Sequence, residues 1–321
     1  MRFGILSTAN IGDEAVVPAI RSTNHDVQAV ASRSADAAAA YADRHGIPET
    51  YDSYDALLGA DIDAVYIPLP NGLHAEWTKR AADAGLDVLC EKPLASDTAE
   101  AVDVVEHCED AGVTLMEAFM YRYHPRTVRA VDVAREHLGD LRHVHAEFSF
   151  QLGDGPDVRL DPDLAGGALM DVGCYPVSAA RTFLGEPALV SGHTHDRRGA
   201  GVDTEVAATF EFDDGATATI EASFETPFHQ TYRVEGTDGW LEADAAFNPG
   251  GSETSLRWGT DEKTVEETFD PVDSYRLEIE HFAASVDGGR DPLTDGNEAI
   301  ANMRAIDAIY ESSATGDTIP L

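Results

Sequence analysis

Asp87-Val88-Leu89-Cys90-Glu91-Lys92-Pro93-Leu94 begins as an apolar strand and stops abruptly on an acid, a lysine and a proline. Around it, short apolar runs alternate with helical patterns. Strands are predicted at 2–7, 27–32, 64–69, 88–90 and 114–119, and helices at 13–20, 35–45, 53–58, 74–84 and 97–111. Alternation of this length, with strands apolar throughout, implies a parallel sheet covered on both faces. Glu91-Lys92-Pro93 then lies at the carboxyl end of a strand, where open α/β sheets bind ligands. It marks the seam between a dinucleotide-binding half and a sheet-built half.

The pattern changes after 121. A helix is expected at 125–137 and a period-two strand at 143–151. A loop rich in Asp, Gly and Pro covers 153–167, and a helix at 168–184 is stopped by Gly185-Glu186-Pro187. Strand-like segments follow at 189–195, 205–212, 216–224, 231–235, 239–245 and 254–258, with Asp213-Asp214-Gly215 as a hairpin turn. Helices at 275–286 and 297–310 close the chain. The expected organisation is an α/β dinucleotide-binding domain over 1–121, followed by an α+β domain over 122–321 with an open, mostly antiparallel sheet. An open sheet with one apolar face needs a cover, which points to self-association as a homodimer or homotetramer.

Charge narrows the partners. Asp and Glu number 59 against 22 Lys and Arg, a net charge of −37 over 321 residues. Such a field repels nucleic acid and anionic lipid. The acids are scattered through the chain, as expected of a protein adapted to molar salt, where the Debye length falls to ~3 Å. Lysine occurs only at Lys79, Lys92 and Lys263, so Lys92 at a strand end is hard to dismiss as surface decoration. Cys90, Cys108 and Cys174 form no C-x-x-C pair and suggest neither a disulfide framework nor a metal site. The chain opens directly on a strand, and no apolar run approaches the ~20 residues of a membrane helix, so a cytoplasmic protein is expected.

Four loops carry the cofactor argument. After the first strand, Ser7, Ala9 and Gly12 stand where a dinucleotide fingerprint has three glycines. Small residues at these positions still let the backbone of the turn, Thr8, Ala9, Asn10 and Ile11, approach a pyrophosphate, although an ordinary tight turn reads the same way. After the second strand, Ser32-Arg33-Ser34 replaces the acid that binds a free ribose 2′-hydroxyl. A guanidinium between hydroxyls suits a 2′-phosphate, hence NADP rather than NAD, against the plainer reading of an exposed arginine at a helix start. After the third, Pro68, Leu69, Asn71 and His74 lie where a cofactor crosses the strand ends, with a helix cap as the simpler role for His74. After the fourth come Glu91 and Lys92. The ammonium suits a substrate hydroxyl and an acid–base partner, or else a salt bridge to Glu91.

The second half offers Gly166-Gly167-Ala168-Leu169-Met170-Asp171-Val172-Gly173-Cys174-Tyr175-Pro176. Asp171 and Tyr175 are four apart, on one face of a helix. They form a proton-relay pair or, as plainly, an acid at a helix start and a buried tyrosine.

With these residues assembled, the chain resembles the Gfo/Idh/MocA oxidoreductase family over its whole length. The resemblance is most specific at Glu91-Lys92-Pro93, at Glu117-Ala118-Phe119-Met120-Tyr121-Arg122-Tyr123-His124-Pro125 and at the segment ending in Tyr175. It lies nearest the pyranose branch of sugar and dihydrodiol dehydrogenases. The resemblance implies a Rossmann domain, an open-faced antiparallel sheet with helices on one side, and hydride transfer from a sugar or polyol carbon to a nicotinamide. It makes Lys92 the catalytic lysine, Asp171 the substrate-side aspartate and Tyr175 the acid–base tyrosine, where inositol dehydrogenases carry histidine. Tyr121 and Arg122 then line the substrate pocket. The implied activity is NADP-dependent oxidation of a xylose-like aldose at C1 to its lactone. A phenol of pKa ~10 then needs the positive charge of Lys92 to act near neutrality. Two other activities remain open: a dihydrodiol or inositol-type polyol dehydrogenase, and a non-catalytic NADP-sensing regulator. The intact Lys92, Asp171 and Tyr175 set argues against the regulator.

Overall fold

Six short strands, β1 (Arg2–Leu6), β2 (Asp26–Ala31), β3 (Glu49–Tyr51), β4 (Ala64–Ile67), β5 (Asp87–Cys90) and β6 (Leu115–Glu117), pair in parallel in the order β3-β2-β1-β4-β5-β6. In the computed structural model, which describes all 321 residues, this sheet forms the core of one of two units. The first unit is Met1–Met120 with Asp273–Ile300, and the second is Tyr121–Val272 with Ala301–Leu321.

Sheet burial explains the strand sequences of the first unit. All four residues of β4 and the last three of β5 are buried, because helices cover both faces. A π-helical turn at Gly12–Val16 leads into α1 (Val17–Arg21), where the sequence predicts one continuous helix. Asp13 in that turn pairs with Arg44 and His45 at the end of α2 (Ala35–His45). Ser34 caps α2 by accepting the Ala37 N–H, and Gly46 ends it at φ 56°. After α3 (Tyr54–Leu58) and α4 (His74–Asp83), α5 (Thr98–Ala111) starts on Asp97, whose carboxylate accepts the Glu100 N–H, while Glu100 accepts the Ser96 N–H. The three-residue β3 is absent from the sequence reading, since Glu49-Thr50-Tyr51 is too short to show a period.

In the second unit, α6 (Pro125–His137) begins on a His124 cap with Pro125 in its first turn. The sheet then takes β7 (Leu141–Ser149), α7 (Cys174–Leu184) crosses it, and β8 (Leu189–His195), β9 (Glu205–Glu211), β10 (Thr217–Ser223), β11 (His229–Gly236), β12 (Gly239–Asp244), β13 (Thr254–Thr260) and β14 (Thr264–Phe269) follow. With β15 (Ile319–Pro320) the order is β14-β13-β12-β11-β7-β10-β9-β8-β15. Every pair is antiparallel except β7 with β10. Helices α8 (Ser274–Gly288) and α9 (Gly296–Thr315) complete the chain.

Two expectations change here. The sequence reading assigns all of 122–321 to the second domain, whereas 273–300 packs with the first unit. Phe282 of α8 lies against Phe3 of β1 at 6.0 Å, and Ala299 joins the core of Leu6, Ile67, Val88 and Val104. An apolar stripe says that a helix must be buried but not against which sheet. The argument for self-association from an uncovered apolar face also loses its basis. Val144, Ala146, Phe148, Ile220 and Val234 are buried under α7, and α6 packs on β12 and β13. The other face carries His143, His145, Glu147, Thr219, Arg233 and Glu242, tied by bonds such as His145 to Thr219 and Arg233 to Glu242.

Candidate active site

In the first unit the strand order reverses direction between β1 and β4, which is the switch point where doubly wound sheets open a crevice. The loops at the carboxyl ends of β1, β2, β4 and β5 carry Thr8, Ala9, Asn10, Ile11, Ser32, Arg33, Ser34, Pro68, Leu69, Asn71, His74, Glu91 and Lys92. The fold therefore gathers these predicted positions on one edge of one sheet.

Ser7 crosses the switch point, donating its hydroxyl to the Pro68 carbonyl at 3.2 Å and accepting the Ala9 N–H at 3.2 Å. Its φ of 141° lies where glycine is favoured, so a fingerprint glycine has been replaced by a residue held in place through its side chain. Gly12 is required for space: a Cβ there would stand 2.8 Å from the Tyr41 hydroxyl. The turn thus keeps the close helix approach of a pyrophosphate cradle, and the first helical turn presents N–H groups that lack intrahelical partners. At the next strand end, Ser32 is buried and its hydroxyl accepts the Ser34 N–H at 3.3 Å. Arg33 is exposed and faces the Tyr54 hydroxyl, its charge partly offsetting the upward push of burial on that phenol. These residues fit a dinucleotide with a 2′-phosphate.

The Glu91-Lys92-Pro93 loop, which includes a cis Lys92–Pro93 peptide bond, is pinned on either side of the lysine. The Glu91 N–H donates to the Ile67 carbonyl at 3.2 Å, and Tyr66 donates its hydroxyl to the Glu91 carboxylate at 2.6 Å. The Leu94 N–H donates to the buried Glu117 carboxylate at 2.8 Å, and the Pro93 carbonyl lies 2.7 Å from His74 Nδ1. Lys92 itself is half-buried. Glu278 of α8 is fully buried with one oxygen unpartnered, and burial first and the Glu91 charge second push its carboxyl well above the usual carboxylate range.

His74 needs a correction as a cofactor ligand. Its side chain is 0 % exposed, and its Nε2 lies 2.7 Å from the Leu69 carbonyl while Nδ1 faces Pro93. Both nitrogens are committed to backbone, so the ring supports the loops and has no free edge for a ligand.

In the second unit, Asp171 lies in a π-helical turn at Leu169–Gly173 that runs into α7, where Tyr175 is the second residue. A wider turn at this point shifts the helix phase, a feature often found at functional sites. Gly173 makes it possible, because a Cβ there would meet the Leu169 side chain at 2.9 Å and Ala222 of β10 at 3.2 Å. Arg159 donates to Asp171 at 2.7 Å. The Tyr175 ring sits among Tyr121 at 5.9 Å, Phe148 at 5.5 Å and Phe247 at 5.5 Å. Tyr121 and Tyr175 are both buried, at 1 % and 5 % exposure, and the Tyr121 hydroxyl is 2.8 Å from that of Ser178, so Tyr121 packs against Tyr175 with its own hydroxyl engaged inside the unit. Arg122 follows in a short 3-10 turn, half-buried.

Four supporting residues escape the sequence reading. Tyr66 sits inside an apolar run, with nothing to separate it from core positions, and Glu117, though it opens a stretch that carries the family resemblance, gives no sign there of the Leu94 N–H it accepts. Asp203 accepts the Leu169 N–H at 2.8 Å and the Tyr310 hydroxyl at 2.7 Å, capping the 169–184 helix from thirty-four residues away, beyond any local pattern. Arg159 did leave a signal. It is the one basic residue in the loop 153–167, among Asp154, Asp157, Asp161 and Asp163.

The chain is similar to known proteins over its whole length. Residues 1–119 match a model of an oxidoreductase family with an NAD-binding Rossmann fold, and residues 126–242 match the GFO/IDH/MocA C-terminal domain. A D-xylose 1-dehydrogenase (NADP(+)) of Haloferax volcanii is 55 % identical over 324 aligned residues, covering 100 % of both chains. Among solved structures, a 3-ketoreductase from Actinomadura kijaniata in complex with NADP and TDP-benzene has a TM-score of 0.92 at 31 % identity, covering 97 % of each chain. An aldose-aldose oxidoreductase from Caulobacter crescentus has a TM-score of 0.93 at 29 % identity, covering 100 % of this chain and 99 % of the other.

Proposed function

This chain belongs to the GFO/IDH/MocA oxidoreductase family, and on that footing we propose that it is an NADP-dependent aldose dehydrogenase that oxidises a xylose-like pyranose at C1 to the lactone. The observation that carries the reading is the pinned loop at the carboxyl end of β5, where both neighbours of Lys92 are held by hydrogen bonds. The whole-length likeness to a xylose dehydrogenase supports the choice of sugar and of NADP.

Thr8, Ala9, Asn10 and Ile11 hold the pyrophosphate, Ser32, Arg33 and Ser34 the 2′-phosphate, and 68–71 the nicotinamide side. When bound, the cofactor supplies the acceptor for the C1 hydride. Tyr175 takes the proton of the anomeric hydroxyl, Lys92 holds that hydroxyl's oxygen by charge, and Asp171 orients the ring. Each is a proton-transfer or positioning role of the size that general acid–base groups supply, ~10²–10⁴ in rate. Self-association as a homodimer or homotetramer belongs on the outer sheet face, where Phe228 is 66 % exposed beside a hollow of about 500 Å³. Light scattering that finds a monomer in molar KCl overturns that assignment.

The central test is a panel of aldoses, polyols and diols with NADP and NAD in molar KCl, with the product identified as a lactone. Lys92→Ala and Tyr175→Phe are expected to lose most of kcat with an unchanged Tm. Turnover close to wild type in both overturns the mechanism. Turnover of diols but of no aldose overturns the substrate.

A further inference from the structure

We infer that His74 is a positioning residue with two separable duties: Nδ1 sets the place of Lys92, and Nε2 sets the place of the cofactor loop 68–71. The inference rests on the role proposed for Lys92. His74 is the first residue of α4, preceded by Leu73, which makes no side-chain cap. Its ring points back beneath the ends of β4 and β5, with no accessible surface. Nδ1 is 2.7 Å from the Pro93 carbonyl, next to Lys92, and Nε2 is 2.7 Å from the Leu69 carbonyl.

Carbonyl oxygens only accept and a neutral imidazole carries a single N–H, so both contacts are hydrogen bonds at once only in the imidazolium, while the neutral ring donates to one carbonyl and packs against the other. Burial, the largest influence, lowers the pKa of the ring overall; the Pro93 and Leu69 carbonyls and, least of all, the Glu100 carboxylate pull against it, and the Lys92 ammonium adds to the lowering. The clamp joins two adjacent strand ends, so a shift at either carbonyl is transmitted to the chain beside it. On the Pro93 side that chain is Lys92, whose other neighbour is already fixed by Tyr66 and Ile67. Displacing a reacting group by ~1 Å can cost ~10²-fold in rate.

Asparagine and glutamine separate the two duties. The Asn amide nitrogen occupies the place of Nδ1 and can donate to Pro93, whereas that of Gln occupies the place of Nε2 and can donate to Leu69. The expected outcome is a crossed pattern. His74→Gln loses ~10-fold or more in kcat with NADPH affinity within ~3-fold of wild type, by the same positional argument. His74→Asn keeps kcat at saturating NADP but raises KM for NADP and weakens NADPH binding measured by fluorescence. Equal losses in both variants, tracking a common fall in Tm, reduce His74 to a structural residue and overturn the inference, as does wild-type behaviour in both. Lys92→Ala is measured alongside. If it retains turnover, the reading of Lys92 fails, whereas if it is inactive while the crossed pattern is missing, only the clamp fails.

Discussion

Arg159 donates its Nε–H to the Asp171 carboxylate at 2.7 Å while its Nη1 lies 3.3 Å from Asp157. One guanidinium therefore serves two carboxylates, and the Asp171 charge is the main reason its own pKa is raised. Asp171 cannot turn freely toward a sugar hydroxyl; it is presented in one orientation from a π-helical turn. Arg159→Ala removes that hold and leaves two acids with no cation between them. The expected result is a sugar KM raised by about ten-fold with a smaller change in kcat, because uniform binding is lost. Arg159→Lys keeps the charge but not the fork, and falls between the two. A sugar KM unchanged in Arg159→Ala separates this ion pair from substrate recognition.

Arg33 tests cofactor choice. It is exposed at the end of β2 with Tyr54 beside it, and Tyr54 stacks edge-on with Trp77 at 5.0 Å. Charge-assisted bonds to a 2′-phosphate contribute about 1.5–3 kcal/mol, or roughly 10–100-fold. Arg33→Ala is expected to lose that much kcat/KM for NADP and little for NAD. A parallel fall with both cofactors means that Arg33 does not read the phosphate.

Much of this architecture was visible in the chain because local rules suffice for it. The strand-helix alternation before 120 and the bounds of α2 and α6 follow from periodicity, Ser34 and Pro125 at the starts and Gly46 at a helix end. Candidate positions on the strand ends follow from that alternation alone. What stayed hidden depends on long-range contact. Nothing around Asp203 shows that it caps a helix beginning at 169, and nothing in α8 shows that Phe282 meets Phe3. His74 was visible as a polar residue at a helix start, but its burial between two carbonyls is set by how β4 and β5 pair.

Salt should decide the stability of the protein. A net charge of −37 is spread over the chain, and many ion pairs, such as Arg257 with Glu242, lie on the surface, where each is worth little. In dilute buffer the acids repel one another across the ~30 Å Debye length of a 0.01 M solution, which falls to ~3 Å at 1 M. Tm measured from 0.01 M to 3 M KCl is expected to climb through the series, with turnover following. A flat or falling series rejects adaptation to molar salt.

His124 should give the protein an acid-labile element. Its Nδ1 accepts the Arg126 N–H at 3.1 Å and so caps α6 with a lone pair that a proton would occupy. The ring is 1 % exposed, its Nε2 has no partner, and Arg126 beside it is itself buried on the carbonyls of Asp244, Ala245 and Ala246. Burial first, and the Arg126 charge second, lower the imidazole pKa from 6.5 to about 4. The unfolded chain binds this proton below 6.5 and the folded chain only below about 4. Stability from the neutral ring is therefore complete above pH 6.5 and is lost as pH falls toward 4, by up to roughly 3 kcal/mol. Asparagine accepts the same N–H, is among the best capping residues and does not titrate. His124→Asn should therefore match the wild type at pH 7 and hold more of its stability at pH 5, measured by denaturant unfolding in molar KCl. If the two proteins lose stability equally between pH 7 and pH 5, the acid sensitivity lies elsewhere and the His124 cap is not its source.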